Sequence, residues 1–149
     1  MKRSHWLLLI GALLLFIWGN SLLPASVSAA ISGWLHGTLT GDSDGGDGVL
    51  RKIAHFTEFA FLGGLLFQLF VKQQEGKGTA FLLSFACGVL TAITDELLQH
   101  FSPGRSPQIL DVCIDTTGAL TGICICLGLL SIRQFFKSKH SNLEEHENE

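Results

Sequence analysis

The sequence predicts an all-α integral membrane protein, a bundle of four transmembrane helices with both termini in the cytoplasm. Composition is the first observation, because only 15% of the 149 residues are charged and 47% are hydrophobic, whereas a soluble domain carries about 25% charged residues. The second is that the apolar residues gather into four runs, each long enough to cross a bilayer. A formal net charge of −3 without a basic stripe excludes nucleic acid as a partner.

The predicted spans cover residues 6–23, 53–71, 79–98 and 112–132. The first is an uncharged run of about 18 residues, which at ~1.5 Å per residue nearly matches the hydrocarbon core. An alternative is a cleavable signal peptide, since Lys2 and Arg3 precede the run and Val27-Ser28-Ala29 resembles a cleavage site. The run is longer than the usual apolar segment of a signal peptide, about 7 to 15 residues. A retained span is therefore the preferred interpretation.

Lysine and arginine positions orient the bundle, because cytoplasmic flanks are enriched in these residues. With the N-terminus in the cytoplasm, seven of the ten Lys and Arg residues fall on inner flanks. The other three, Arg51, Lys52 and Arg105, fall on outer flanks. Both termini are therefore predicted to be cytoplasmic.

With this orientation the chain consists of a membrane domain, which includes an extracytoplasmic loop, and a cytoplasmic tail. Residues 1–139 form the membrane domain, and residues 24–50 within it form an extracytoplasmic loop. In that loop a short amphipathic segment around Trp34 lies in the membrane interface, and Gly41 to Gly48 form a flexible linker. Residues 140–149 are predicted to be an acidic, disordered cytoplasmic tail.

Polar residues at three span ends are the candidate functional residues, because a charged group inside a membrane costs several kcal/mol unless it is paired or hydrated. Span two begins, span three ends and span four begins on the outer side, so their polar groups lie at one membrane depth. Residues 101–110 connect spans three and four on the same side and bring a cation over the cluster. We predict a polar pocket open to the outer leaflet.

The residues of this pocket divide into two groups. His55 and Glu58, one helical turn apart, can form a base and its orienter, and Asp95 and Glu96 can take acid and base roles. The candidate catalytic residues are His55, Glu58, Asp95, Glu96, Asp111 and Asp115. The candidate binding residues, whose cations can hold a phosphate or carboxylate, are Arg51, Lys52, Gln99 and Arg105.

Two alternatives assign the same residues differently. A metal could use mixed nitrogen and oxygen ligands from His55, Glu58, Glu96 and Asp111. No H-E-x-x-H or thiol-rich pattern supports this, so the sequence predicts no metal site and leaves the cofactor open. In the other alternative, the carboxylates only pair with the nearby cations and thereby fix helix packing.

Three segments contain most of these polar residues. They are Arg51–Phe59 (RKIAHFTEF), Asp95–Ser106 (DELLQHFSPGRS) and Asp111–Gly118 (DVCIDTTG). In order and spacing they are similar to the patterns R-K-x-x-H-F-x-E-(Y/F), D-E-x-x-Q-x-F-x-P-G-R and D-V-x-x-(D/N)-x-x-G, and in these segments the chain resembles the VanZ-like family. Two positions vary in the family: Phe59 stands where many relatives carry Tyr, and Asp115 where others carry Asn.

The resemblance implies a multi-pass membrane protein of the cell envelope, with resistance to teicoplanin-type glycopeptides as the best-known phenotype. The expected partners are membrane lipids and a lipid-linked cell-wall precursor or lipoglycopeptide, which the outer pocket acts on or binds. Whether the protein is an enzyme stays open, because a non-catalytic binder that shields a precursor and a purely structural polar network are alternatives. Proton or ion transport is less favoured, since the cytoplasmic halves of the spans offer almost no polar residues.

Overall fold

The structure, a computed structural model, describes residues 3–40, 47–73, 76–106 and 108–147. Within these ranges it consists of five helices and no strand. The helices are α1 (Arg3–Ser21), α2 (Ala25–Thr40), α3 (Asp47–Lys72), α4 (Lys77–His100) and α5 (Ile109–Glu147). Most of the predicted flexible linker, residues 41–46, lies outside the described residues.

Four of these helices are long and apolar enough to cross a membrane: Arg3–Ser21, Gly48–Lys72, Lys77–His100 and Ile109–Lys139. The predicted all-α fold with four spans is confirmed, and the chain is a multi-pass membrane protein. Many large apolar side chains on these helices are exposed, for example Leu8, Leu15, Phe61, Leu82 and Leu90. Such surfaces are unusual for a soluble monomer and suit contact with lipid tails.

Helices extend into the segments predicted as a loop and as a tail. α2 begins directly after Pro24, whose carbonyl accepts hydrogen bonds from Val27 N and Ser28 N at 3.0 Å each. α5 extends through Glu147, and the disorder of residues 140–149 stays a prediction. Neither Gly nor Pro interrupts the chain after Gly128, and the Lys, Glu and Leu residues there favour helix.

α3 is the central helix, because α1, α2, α4 and α5 all pack on it. Its buried side chains Phe59, Leu62 and Leu66 form one core cluster with residues of three other helices, namely Ile10, Ile17, Ala92 and Ala119. Because α3 is surrounded in this way, polar side chains near its start lie close to the neighbouring helices.

Small residues allow α3 and α5 to approach closely. A Cβ added to Gly118 would overlap the carbonyl oxygen of Phe56, and one added to Gly122 would overlap that of Ala60. A Cβ added to Gly63 on α3 would likewise overlap the backbone carbonyl oxygen of Ala119. The glycine pair on α5, spaced by four residues, is thus a small-residue contact of the kind that brings membrane helices together.

Candidate functional site

The start of α3, the end of α4 and the start of α5 meet at one end of the bundle, which we call the polar end. Buried polar and charged side chains gather there, whereas the core below them is apolar. Five of the predicted site residues are buried: His55, Asp95, Glu96, Gln99 and Asp115. The predicted convergence of three helix ends is therefore present in the structure.

His55 occupies the centre of the polar end, between carboxylates from two other helices. Its Nδ1 lies 3.8 Å from Asp95 Oδ2 on α4 and 3.7 Å from Asp115 Oδ1 on α5. The contact between Gly118 and Phe56 explains this proximity. Phe56 follows His55, and Gly118 comes one turn after Asp115, so the close backbone approach brings the two side chains together.

Gln99 fixes one of these carboxylates. Its Nε2 donates a hydrogen bond of 2.9 Å to Asp95 Oδ2, because residues four apart lie on the same helical face. Gln99 is itself buried, so the pair is a fixed polar contact in the helix interface. This sets the direction in which Asp95 faces His55.

Several buried oxygens of the carboxylates have no hydrogen-bond partner among the described residues. Beside His55 they are Asp95 Oδ1 and both carboxylate oxygens of Asp115, and elsewhere at the polar end one oxygen each of Glu58, Glu96 and Asp111. Leaving a buried acceptor without a partner costs about 1 to 3 kcal/mol, and more for a charged group. The cluster of His55, Asp95 and Asp115, hereafter the buried triad, thus has unused bonding capacity.

Glu58 does not pair with the histidine of the buried triad. Among the described residues, no Glu58 oxygen lies within 4 Å of a His55 ring nitrogen, the distance within which both aspartates fall. Glu58 instead faces the side chain of Asn20 at the end of α1. The structure therefore does not bring together the proposed base and orienter pair of His55 and Glu58.

Glu96 and Asp95 point in different directions, as neighbouring residues of a helix do. Glu96 Oε1 accepts a hydrogen bond from the backbone N–H of Gln108, just before α5 begins. Glu96 thus holds the start of α5 against the end of α4. Its other oxygen is buried and has no partner among the described residues.

Arg105 lies in the connection between α4 and α5 and reaches back to α1. Its Nη2 donates to the carbonyl of Asn20 at 3.4 Å, while its Nε and Nη1 are buried without a partner among the described residues. Burial, and next the positive charge of Arg51, lower the pKa of the guanidinium from its usual value. An arginine still stays charged at neutral pH.

Two serines and a glycine turn hold this connection in place. Ser102 Oγ donates to the carbonyl of Ser21 at 2.9 Å, and the N–H of Ala25 donates to the carbonyl of Pro103 at 3.1 Å. Gly104 has a φ of +77°, a conformation that favours glycine. The connection is therefore tied to the end of α1 and the start of α2.

A small cavity adjoins the buried triad. Its volume is about 10 Å³, measured for the centre of a water-sized sphere, which is close to the minimum that one water needs. The residues around it are Arg51, Lys52, His55, Gln99, Asp111, Ile114 and Asp115. The two cations and Asp111, all half-buried, therefore share one cavity with the histidine.

A larger apolar groove of about 550 Å³ lies between α1, α2 and α3. Its walls are mostly apolar side chains such as Leu15, Phe16, Ile31 and Leu35. Its polar residues include Asn20, Glu58 and Arg51. Arg51 thus lines both the groove and the small cavity.

Sequence reasoning missed the contribution of α1 to the polar end. The side chain of Asn20 faces Glu58, while the backbone carbonyls of Asn20 and Ser21 accept from Arg105 and Ser102. The sequence feature that could have indicated this contribution is the pair of polar residues, Asn20 and Ser21, near the end of an otherwise apolar run. Polar groups inside a predicted span are candidates by the same argument that selected His55.

The fold and the polar end define a multi-pass helical membrane protein with a buried, histidine-centred polar site at one end of its helices. Residues 6–132 match the family described as VanZ/LLP1. The chain belongs to that family, which confirms the resemblance. Comparisons with curated proteins and with solved structures give no match.

Proposed function

We propose that the protein is a cell-envelope protein that binds a lipid-linked anionic substrate, of the cell-wall precursor class, at the outer leaflet. The position of Arg51 carries this proposal. Its side chain lines both the apolar groove and the small cavity beside the buried triad. An amphipathic ligand needs this arrangement, with an apolar surface for its chain and a cation where the chain meets the headgroup.

The groove suits the apolar part of such a ligand. Its volume of about 550 Å³ lies in the range of about 300 to 1,000 Å³ that is typical of ligand sites. Trp34 on α2 is largely exposed, as suits a residue at the headgroup level.

The cations suit the headgroup. Arg51 and Lys52 line the small cavity, and Arg105 has two N–H groups without partners among the described residues. Charge-assisted hydrogen bonds from arginine to a phosphate are about twice as strong as neutral ones. A phosphate or diphosphate ester is therefore the headgroup class that we assign to this site.

The outer location rests on the distribution of cations along the chain. Seven of the ten Lys and Arg residues lie at the flanks opposite the polar end or at the N-terminus. The positive-inside rule then directs the polar end to the outer face. Binding there would shield or redistribute a precursor, and teicoplanin resistance would follow as the cellular phenotype.

A structural role is the second candidate, and specific contacts favour it for two residues. Glu96 accepts from the backbone of Gln108, and Arg105 donates to the backbone of Asn20. Both contacts fix helix ends. Neither extends to Arg51, so a structural role of the connection is compatible with lipid binding at the groove.

The test is teicoplanin susceptibility of cells that express each variant, measured together with the amount of protein in the membrane. Arg51→Gln should lose protection at unchanged abundance, because the cation shared by groove and cavity is gone. Arg133→Gln is the matched control, since Arg133 is exposed and lies in the half of α5 that is away from the polar end. Equal protection by both variants, or none from the parent, would contradict the proposal.

A further inference from the structure

The most deeply buried ionisable residues are not used by the lipid-binding proposal. Asp95 and Asp115 are 0% and 1% exposed, and His55 is 7% exposed. We infer that His55, Asp95 and Asp115 form a binding site for one divalent transition-metal cation, of the Zn²⁺ or Mn²⁺ kind. The inference does not depend on the identity of any lipid substrate.

Distances within the buried triad are the first argument. One potential ligand atom from each residue lies within 4.8 Å of the others, and His55 Nδ1 is 3.7 to 3.8 Å from a carboxylate oxygen on each side. Ligands bound to one cation at about 2.0 to 2.4 Å lie about 3 to 4.8 Å apart, depending on the angle between them. Three helices therefore present three donor atoms at a spacing that one ion can bridge.

The unsatisfied oxygens are the second and independent argument. Asp115 Oδ1, which faces His55, is buried and has no hydrogen-bond partner among the described residues, and the same holds for Asp115 Oδ2 and Asp95 Oδ1. Buried charges in proteins are paired or coordinate metals. Oxygens that are fully desolvated and still free to bond are available as ligands of a cation.

No side-chain cation within the described residues supplies that charge directly. The ion pairs found there for Asp95 and Asp115 are those with His55, and no Lys or Arg nitrogen lies within 4 Å of either carboxylate. With both carboxylates ionised beside a neutral imidazole, the triad would carry a charge of −2. A divalent cation bound to the three side chains would balance this charge.

Gln99 has the role that a supporting residue has in metal sites. It donates to Asp95 Oδ2 and so fixes the oxygen that faces the imidazole. Hydrogen bonds to ligating carboxylates orient them, and removing such a partner typically costs 10- to 100-fold in metal affinity. The nitrogen ligand also selects the metal class, since imidazole suits zinc and similar ions better than magnesium or calcium.

The three ligands of the buried triad differ from the ligand set of the metal site that was considered as an alternative from the sequence. That alternative used Glu58, Glu96 and Asp111 with His55, but Glu58 faces Asn20 and Glu96 accepts from Gln108. Asp111 lines the small cavity without belonging to the triad. The cavity has room for about one water beside the triad, so an ion there can keep a water ligand.

The experiment uses the full chain, purified without a polyhistidine tag and placed in lipid nanodiscs. Elemental analysis and calorimetric titration with Zn²⁺ and Mn²⁺ should give close to one ion per chain, and chelation should lower the unfolding temperature. Asp115→Asn and His55→Gln should each lower the affinity at least tenfold. Gln99→Leu should weaken binding by 10- to 100-fold.

His100→Gln and His5→Gln are the matched controls. Each removes an exposed imidazole that lies outside the buried triad, and both should retain the parent affinity. Size-exclusion chromatography and circular dichroism check that each variant is folded. Even if a triad variant does not fold, the titration of the parent decides whether the chain binds an ion. A parent that binds neither ion saturably, or controls that lose as much affinity as Asp115→Asn, would overturn the inference.

Discussion

Gly118 of α5 packs against the backbone carbonyl of Phe56 on α3, so closely that a Cβ at Gly118 would overlap the oxygen. This contact determines the separation of the two helices at the polar end. His55 precedes Phe56, and Asp115 lies one turn before Gly118. The distance of 3.7 Å between His55 Nδ1 and Asp115 Oδ1 therefore depends on a glycine, which has no side chain that could bind or react.

Gly118→Ala should destabilise the protein by about 1 to 3 kcal/mol, because an extra methyl group in a closely packed interface forces the backbones apart. Gly128→Ala is the control, since a Cβ there meets nothing within 4 Å. It should be neutral or stabilising by up to about 1 kcal/mol, as alanine is the better helix former. Reversible unfolding in detergent measures both, and equal stability of the two variants would show that the contact does not limit the helix separation.

Two substitutions at Glu96 distinguish a structural role of this residue from a catalytic one. Glu96→Gln keeps a carbonyl oxygen that can accept from the Gln108 N–H, so abundance and protection against teicoplanin should stay at the parent level. Glu96→Leu removes the acceptor and should lower abundance, because the hydrogen bond that ties the start of α5 to the end of α4 is lost. Immunoblots of membrane fractions give the abundance. Loss of protection in Glu96→Gln at full abundance would instead support an acid or base role.

The orientation of the bundle can be tested by labelling single cysteines in intact cells. In a variant whose four native cysteines are replaced by serine or alanine, Ser106→Cys at the polar end should react with a membrane-impermeant maleimide. Ser138→Cys, near the opposite end of the α5 span, should react only after the cells are opened. The reverse pattern would place the polar end in the cytoplasm and remove the basis for outer-leaflet binding.

Much of the fold could be predicted from the sequence because each span is a local signal. Hydrophobic length alone predicts the four spans, and helical spacing places Asp95 and Gln99 on one face, where the structure has their hydrogen bond. The alternation of span direction then brings three helix ends together. These arguments need no knowledge of how one helix is rotated against another.

The pairing between helices could not be predicted, since it depends on that rotation. Spacing along α3 favours His55 with Glu58, but the approach of Gly118 to Phe56 turns His55 towards Asp95 and Asp115. Glu58 consequently faces α1 and Asn20. A contact made by a glycine in a distant segment thus decided which carboxylates surround the histidine.

Binding of an anionic lipid through Arg51 is the central claim, and native mass spectrometry tests it most directly. The full chain is released from micelles that contain a polyprenyl diphosphate and an equal amount of a neutral diacylglycerol. The parent and Arg133→Gln should retain the diphosphate lipid, and Arg51→Gln should bind it about 10- to 100-fold more weakly, since a hydrogen bond to a charged group contributes about 1.5 to 3 kcal/mol. Equal retention of the diphosphate lipid by all three proteins, or no retention by the parent, would contradict the account.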